Sequence, residues 1–362
     1  MNRDQPVNTL NGLQLSSIIL GAMLGLGPLM NVRFATLEAG RDAWISIILA
    51  AILILINLWI MTRVVMIYPN KTIAQIISGL MGTWLGKIGN AVNLVLSLMI
   101  CAITLWYTGH IFNVYILLFT PSIVLSSCLL FVSVYTTWFD VRIIGRVVVV
   151  LFFVSFLFAI FFVPPVLQYG QIERILPIGK TGFSGIWHGM LMVMYSFAGY
   201  ERFLVFAPFL DKFQGMTRSV LLSVFYVSLM FIVGAICEQL VYPILFLQKL
   251  WTPGIEYVSL VNISILERTD LIFILFWFGV LFKTHVSYFY SAVLEMKELM
   301  NAKSKTPAIV VSTIIIFATS FIKVNNVEME NWMFWTLSIT VGISFIIPIS
   351  IITMGWLKRK VQ

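Results

Sequence analysis

The stretch Gly21-Ala-Met-Leu-Gly25-Leu-Gly27-Pro28 places three glycines and one proline within eight residues, inside a long apolar segment. In a helix interior, glycine costs about 1 kcal/mol and proline about 3 kcal/mol relative to alanine. We therefore expect the helix to unwind here and to leave backbone N–H and C=O groups without helical partners. In a bilayer such groups are tolerated only where they line a cavity or are covered by protein. The stretch predicts a broken membrane helix beside a polar hollow.

The composition of the chain is that of a membrane protein. Of its 362 residues, 60% are hydrophobic and 10% are charged, whereas a soluble domain is about 25% charged. One span needs roughly 20 apolar residues, so a chain with about 60% of its residues in the bilayer has room for about ten or eleven spans. The three cysteines lie in apolar runs and are expected to pack as small hydrophobic residues. This composition excludes a soluble enzyme, a nucleic-acid binder and a disulfide scaffold.

Apolar runs bounded by charges, proline or glycine predict an all-α polytopic membrane protein with ten transmembrane helices. The predicted spans are residues 13–34, 43–67, 91–119, 122–138, 147–166, 186–209, 218–242, 270–294, 307–322 and 332–356. Residues 68–89 are expected to hold a short amphipathic helix at the membrane surface. The apolar face of that helix consists of Ile73, Ile76, Ile77 and Leu80. Residues 242–270 are expected to form a capping loop with short helices, and residues 1–362 a single transmembrane domain.

A second break is predicted in the sixth span, at Ser196-Phe-Ala-Gly199-Tyr-Glu201-Arg202. It lies at a position similar to that of the break in the first span. Ten spans then divide into two repeats of five, about residues 11–166 and about residues 186–356. Because each repeat has an odd number of spans, the second repeat has the opposite orientation in the membrane to the first. Paired, interrupted spans are typical of a substrate site at the midplane of an inverted-repeat transporter. The alternative is that the glycines only allow close helix packing.

Basic residues predict the orientation of the chain. The net charge is +8, and Lys and Arg accumulate in the cytoplasmic loops of membrane proteins. With both termini in the cytoplasm, 14 of the 23 Lys and Arg residues fall in inside loops and 7 in outside loops. Arg202 and Lys283 are left within the membrane. We therefore predict that both termini are cytoplasmic and that the basic residues interact with the lipid bilayer rather than with nucleic acid.

Several short motifs, in their order and spacing, resemble the endospore germination permease family, and the resemblance covers essentially the whole chain. They are Gly25-Leu-Gly-Pro28, Asp42-Ala-Trp44, the loop from Tyr68-Pro-Asn-Lys71 to Leu85-Gly-Lys87, Phe197-Ala-Gly-Tyr-Glu201 and Ala207-Pro-Phe-Leu210. The resemblance implies the integral-membrane B subunit of a nutrient germinant receptor in the spore inner membrane. It also implies a leucine-transporter-like fold of the amino acid/polyamine/organocation superfamily. A larger A subunit and a lipoprotein C subunit are the implied partners, and some family members are thought to conduct water or ions.

We expect the nutrient to bind where the broken spans meet spans three and eight. The candidate ligand-binding residues are Gly25, Leu26, Gly27, Pro28, Thr104, Tyr107, Thr108, Ala198, Gly199, Tyr200 and Thr284. A half-helix N-terminus can hold a carboxylate through its dipole and its free N–H groups, so an amino acid is the expected ligand class. The alternative for the residues of span three is packing, with hydroxyls bonded to their own helix. No metal or cofactor is expected.

Charged residues within the spans are expected to face the bundle interior, because a charge at the bilayer centre costs at least about 2.5–3.5 kcal/mol. They are Glu201, Arg202, Glu238 and Lys283. We expect Lys283 to occupy the place of a structural cation between spans one and eight, with Glu201 as a candidate partner. The alternative is a buried ion pair that only holds helices together. For Glu238 a structural role is favoured.

Three functions could be built on such a bundle: a nutrient-sensing receptor subunit, an amino-acid/cation symporter or proton-coupled permease, and an intramembrane enzyme. The enzyme is not expected, because the chain has no His-Glu-x-x-His, no Gly-x-Ser-x-Gly and no phosphate loop. His110, His188 and His285 have no metal spacing and are expected to pack as neutral side chains. Fold does not separate receptor from permease, and the family resemblance favours the receptor.

Overall fold

The computed structural model describes residues 9–156, 158–261 and 269–361. This part of the chain is built of helices and contains one isolated β-bridge, between Leu10 and Leu210. The helices are α1 (Gly12–Met23), α2 (Gly27–Ala39), α3 (Ala43–Ile67), α4 (Ile73–Met81), α5 (Thr83–Tyr115), α6 (Ser122–Trp138), α7 (Val141–Phe156), α8 (Phe158–Tyr169), α9 (Gly182–Val193), α10 (Phe203–Phe206), α11 (Met216–Val241), α12 (Ile244–Leu247), α13 (Pro253–Ser259), α14 (Thr269–Leu299), α15 (Thr306–Thr319) and α16 (Asn326–Val361).

Many of these helices have the length and composition of membrane spans. In the described part of the chain, five stretches are long and apolar enough to cross a bilayer. They are Gly27–Ile67, Thr83–Tyr115, Met216–Val241, Thr269–Leu299 and Asn326–Trp356. A bent pair over residues 182–209 provides a sixth, and α1, α6 and α15 are shorter apolar helices. The polytopic membrane class is confirmed, and the number of ten spans stays a prediction.

The first helix is broken where the sequence predicts it. α1 ends at Met23 and α2 begins at Gly27, which leaves three residues between the two half-helices. Pro28 lies in the first turn of α2, where its missing N–H removes no hydrogen bond. At the start of α1, Asn11 and Gln14 form a reciprocal capping box.

The sixth helix is broken as well. α9 ends at Val193 and continues as a tight turn to Phe197, after which Ala198 is extended and Gly199 has φ +122°. The chain then resumes as short helical turns to Phe209, at an angle of 49° to the first half. The two predicted breaks are therefore both present.

The two longer connections also contain the expected short helices. α4 begins with a capping box between Thr72 and Gln75, and its buried face includes Ile76 and Ile77. It packs on α5 and α16, which confirms the amphipathic helix. The second connection holds α12 and α13, while its residues 262–268 lie outside the described part of the chain.

The loops separate into two groups at opposite ends of the bundle. Thr72 Oγ1 donates to Glu298 Oε1 at 3.2 Å, which joins two loops predicted to be inside. Gln239 Nε2 donates to the carbonyl of Arg41 at 3.2 Å, which joins the predicted outer end of span seven to a loop predicted to be outside. This grouping agrees with the predicted alternation of the spans. Which end faces the cytoplasm stays a prediction.

Helix α14 lies in the middle of the bundle. Residues 280–293 are buried without interruption, and the helix packs on α5, α1, α6 and α7. A helix that is buried all round belongs to the core and not to the lipid-facing surface. The polar residues of this buried stretch, Lys283 and Thr284 among them, therefore face protein on all sides.

Candidate ligand site between the broken helices

The two breaks pack directly against each other, and glycines form the contact. A Cβ on Gly27 would lie 2.4 Å from the carbonyl oxygen of Ser196. A Cβ on Gly199 would lie 2.5 Å from backbone atoms of Ala22 and Met23, and its φ of +122° is one that side chains rarely allow. The glycines therefore have both effects: the chain unwinds, and the missing side chains let the two breaks approach.

A small cavity of about 20 Å³ lies at this crossing. Its lining includes six of the predicted site residues, contributed by spans one, three, six and eight. These are Gly25, Leu26, Gly27, Thr104, Ala198 and Thr284. A volume of this size holds about one water molecule, so the structure has the walls of a site in a closed arrangement.

Thr284 connects α14 to the broken first helix. Its Oγ1 donates to the carbonyl of Gly21 at 2.8 Å, and that carbonyl lies in the last turn of α1, where helical partners are missing. A Cβ on Gly25 would lie 2.7 Å from the same Oγ1. Thr284 thus both binds the broken helix end and fills the space beside Gly25.

Other cavity residues were not predicted. Besides Ser196, they are Ala22, Met23, Ile100, Ile103, Tyr195, Tyr288 and Leu337. The hydroxyls of neighbouring Tyr195 and Ser196 interact with each other, and neither has a further hydrogen-bond partner among the described residues. The position of Ser196 in the break was the available sequence signal. No sequence signal indicated that Leu337 of α16 would line the cavity, because its position there depends on tertiary packing.

Two of the predicted residues of span three lie away from the cavity. Tyr107 stacks on Trp251 with ring centroids 5.5 Å apart, and Thr108 Oγ1 donates to the carbonyl of Thr104 at 2.7 Å. Thr104 Oγ1 itself donates to the carbonyl of Ile100 at 2.7 Å. The alternative of hydroxyls bonded to their own helix therefore holds for both threonines, although Thr104 also lines the cavity.

Three further predicted residues flank the cavity without lining it. Pro28 lines a neighbouring hollow of about 30 Å³, and Gly199 forms the crossing itself. The hydroxyl of Tyr200 accepts from Asn57 Nδ2 at 2.6 Å and bonds to Ser344. Tyr200 thus joins spans two, six and ten, because the turn after Gly199 directs its side chain away from the break.

The predicted pairing of Lys283 with Glu201 is wrong. Lys283 Nζ donates to the hydroxyl of Ser155 and lies 3.5 Å from the carbonyl oxygen of Leu151. Its stem packs on the first helix, with the Cβ built on Gly21 3.0 Å from Lys283 Cβ. The side chain therefore points toward α7, on a different face of α14 from the one that meets Glu201. Lys283 does lie beside span one, as expected.

Glu201 instead belongs to a buried charged cluster around Arg202. Arg202 Nε lies 3.0 Å from Glu201 Oε1, and Arg202 Nη1 lies 3.5 Å from Glu295 Oε1. Ser97 Oγ donates to Glu295 Oε2 at 2.8 Å, and Tyr288 OH donates to Glu201 Oε1 at 2.8 Å. Sequence reasoning missed Glu295, because it follows the predicted end of span eight by one residue.

The cluster separates the small cavity from a larger one of about 490 Å³. Tyr288 lines the small cavity, while its partner Glu201 lines the large one together with Arg202 and Glu295. The large cavity opens toward the end of the bundle predicted to be cytoplasmic, where it is lined by Thr72, Lys297, Glu298, Asn301 and Ala302. We call it the vestibule. The Arg202 cluster is the wall between the vestibule and the small cavity.

The opposite end is covered by aromatic side chains and an ion pair. Phe34 packs edge-on against Tyr195, with ring centroids 5.0 Å apart, and Tyr195 contacts Phe334 at 5.6 Å. Above them Arg33 of α2 pairs with Glu330 of α16. The small cavity is therefore closed from the predicted outer end.

The other ionisable residues singled out from the sequence lie outside the small cavity. Glu238 is buried, and its Oε2 has no hydrogen-bond partner in the described residues. His110 stacks on Trp106, and His285 Nδ1 bonds to the hydroxyl of Ser133 at 2.8 Å. Among the residues that the structure describes, no group of His, Cys, Asp or Glu could hold a metal ion.

A sequence profile of the spore germination proteins matches residues 9–328 of the chain. The chain belongs to this family. It is 23% identical over 309 residues to spore germination protein YndE of Bacillus subtilis (strain 168), with 82% of this chain and 83% of that protein covered. The resemblance drawn from the motifs is confirmed.

Two solved structures show the fold of this family member. The crystal structure of MhsT in complex with L-phenylalanine superposes with a TM-score of 0.72 at 13% identity, over 95% of this chain and 89% of that one. Mhp1, a nucleobase-cation-symport-1 family transporter, superposes with a TM-score of 0.60 at 14% identity, over 92% and 78%. The chain is a spore germination protein with the leucine-transporter fold, and thus an integral membrane protein on a transporter-like scaffold.

Proposed function

We propose that this protein is the nutrient-sensing B subunit of a spore germinant receptor and that it binds a small amino acid between the broken helices. One observation carries the proposal: the two breaks enclose a cavity lined by backbone and hydroxyl groups in a member of the spore germination family. The cavity supplies a binding site, and the family supplies the biological setting.

The chemistry of the cavity suits the two charged ends of an amino acid. The first turn of α2 has no side-chain cap, and although Pro28 has no N–H and the Leu29 N–H donates to the carbonyl of Leu26, the helix dipole and the remaining N–H groups of the turn can hold a carboxylate. The hydroxyl of Ser196 can accept a hydrogen bond from an ammonium group. The apolar walls at Ile100, Ile103 and Leu337 favour a small, uncharged side chain.

The size of the cavity explains how binding would produce a signal. A space of about 20 Å³ holds about one water molecule and no amino acid. A ligand must therefore bind an opened arrangement more tightly than this closed one, and that difference in affinity shifts the populations of the two. In this proposal the Arg202 cluster and the aromatic cover are the parts that move.

The proposed setting follows from the family. We place the protein in the spore inner membrane with both termini in the cytoplasm, assembled with germinant receptor A and C subunits. The nutrient reaches the site from the outer end, past the aromatic cover at Tyr195 and Phe334. No catalytic activity is proposed.

An amino-acid symporter is the second candidate, because Mhp1, which shares the fold, is a transporter. Within either candidate, we propose that Lys283 serves as a built-in cation between the first helix and α14. Its ammonium group has hydroxyl and carbonyl partners and no acidic partner within ion-pair distance among the described residues. With that place filled, an ion-driven version of the protein would not need sodium there.

Binding and uptake in reconstituted vesicles separate the two candidates. The full chain is placed in vesicles and offered radiolabelled L-alanine, L-valine and L-phenylalanine, with and without gradients of protons or sodium. Saturable binding without accumulation supports the receptor. Accumulation driven by a gradient would contradict it and support the permease.

A further inference from the structure

The lipid-facing surface of α3 and α11 contains a separate cavity. It is an open groove of about 1010 Å³ with almost wholly apolar walls. Ile52, Ile56 and Trp59 line it from α3, and Leu222 and Phe225 line it from α11. All five side chains are exposed, so the groove faces the lipid and not the bundle core.

The length of the groove matches one leaflet of a bilayer. It runs from Gly215 to Phe225 along α11 and from Ile52 to Met66 along α3, which is about 15 Å and about 21 Å at about 1.5 Å per residue. One leaflet is about 15 Å deep in its hydrocarbon part and about 20–22 Å with its headgroup region. The groove therefore extends from the membrane surface to the midplane, as an acyl chain does.

Positive charge lies at one end of the groove. Arg218 lines it directly, and the guanidinium of Arg63 lies over the ring of Trp59 at 4.9 Å. Among the described lining residues none is acidic, and the preceding loop adds one charge of each sign, at Asp211 and Lys212. This end is the one predicted to face the cytoplasm, where anionic lipid headgroups attract basic side chains.

We propose that the groove is a binding site for an anionic phospholipid, with one acyl chain between α3 and α11 and the phosphate group beside Arg218 and Arg63. Such a lipid would join the second and seventh spans along their inner halves. The inference does not depend on the nutrient or on the receptor role, because it uses other helices and another surface.

Photolabelling tests the site directly. The full chain is reconstituted in phosphatidylcholine vesicles that contain a trace of phosphatidylglycerol with a photoreactive group halfway along one acyl chain. After illumination, labelled peptides are mapped by mass spectrometry. We expect labelling concentrated on residues 52–59 and 221–225, and competition by unlabelled phosphatidylglycerol but not by added phosphatidylcholine.

Variants assign the charge and the shape of the site. Arg218→Gln removes one basic residue near the membrane surface and is expected to reduce labelling about five-fold. Arg146 is an exposed basic residue on α7, and Arg146→Gln should leave labelling unchanged. Ile56→Trp fills the groove and is expected to reduce labelling, whereas Ile339→Trp, on the exposed surface of α16, is not. Labelling spread evenly over exposed helices, or equal competition by phosphatidylcholine, would overturn the proposal. Because the competition experiment uses the unaltered chain, its result tests the proposal even if a variant fails to fold.

Discussion

Gly199 is the residue at which the fold of the site is most constrained. Its φ of +122° and a built Cβ only 2.5 Å from the backbone of the first helix leave no room for any side chain. We expect Gly199→Ala to lower the free energy of unfolding by at least about 2 kcal/mol. Gly342→Ala is the matched control, because a Cβ there meets nothing within 4 Å and the change should stabilise α16 by up to about 1 kcal/mol. Thermal unfolding in detergent measures both, and equal melting temperatures would contradict the close crossing.

The contact between Gly25 and Thr284 predicts a rescue. Gly25→Ala alone should destabilise the protein, since its Cβ would lie 2.7–2.8 Å from Thr284 Oγ1 and Cγ2. Adding Thr284→Ala removes both atoms and should restore part of the lost stability. We expect a double-mutant cycle to give a coupling energy of about 0.5–3 kcal/mol, which is the range found for residues in contact. If the two effects simply add, the packing described at the break is incorrect.

Residues of the site were predictable where their local sequence is unusual. Gly25, Gly27 and Ala198 line the cavity because glycine and proline interrupt their helices, which a single sequence reveals. Glu295 and Leu337 could not be found in this way, because ordinary helical residues reach the site only through packing of α14 and α16. For Lys283, depth in the membrane was predictable, but not the direction of its side chain around α14.

At the scale of elements, the Arg202 cluster holds the second half of the broken sixth span against α5 and α14. Removing one partner of a buried ion pair costs about 3–5 kcal/mol, because the other charge is left uncompensated. We therefore expect Arg202→Met to be strongly destabilised and Arg202→Met with Glu201→Gln to be less so. The control is Arg33→Met at the pair with Glu330, which is more exposed than the cluster, so the loss there should be smaller and closer to the contribution of about 0–1 kcal/mol made by exposed pairs. Similar losses in Arg202→Met and Arg33→Met, measured by chemical unfolding, would show that the cluster is not a principal tie.

The same scale explains which elements the sequence predicts well. Long apolar helices such as α11 are within two residues of the predicted span at each end, because charge and proline mark their ends. α5 begins at Thr83, well before the predicted start at residue 91, because packing on α4 lets the helix extend past the bilayer. Hydropathy measures the length of the apolar stretch and not the length of the helix.

For the whole molecule, the orientation in the membrane is the principal untested prediction. Ala302→Cys, in the loop between α14 and α15, should be inaccessible from outside intact cells or right-side-out vesicles. Lys180→Cys, in the loop before α9, should react with a membrane-impermeant maleimide. Cys101, Cys128 and Cys237 are first replaced by serine or alanine. The opposite pattern of reactivity would invert the molecule and would place the vestibule on the outer face.

The central claim is that a nutrient binds where the two broken helices cross, and equilibrium binding to the purified chain tests it most directly. Ser196→Ala removes a cavity hydroxyl that contacts only Tyr195 among the polar groups of the described residues, so the variant should fold normally. It should bind radiolabelled L-alanine about 2- to 10-fold more weakly, because the loss of one hydrogen bond has about this effect. Ser312→Ala removes an unpartnered buried hydroxyl on α15, outside the cavity, and should bind like the unaltered chain. Saturable binding of equal affinity in all three proteins would place the ligand elsewhere and contradict the account.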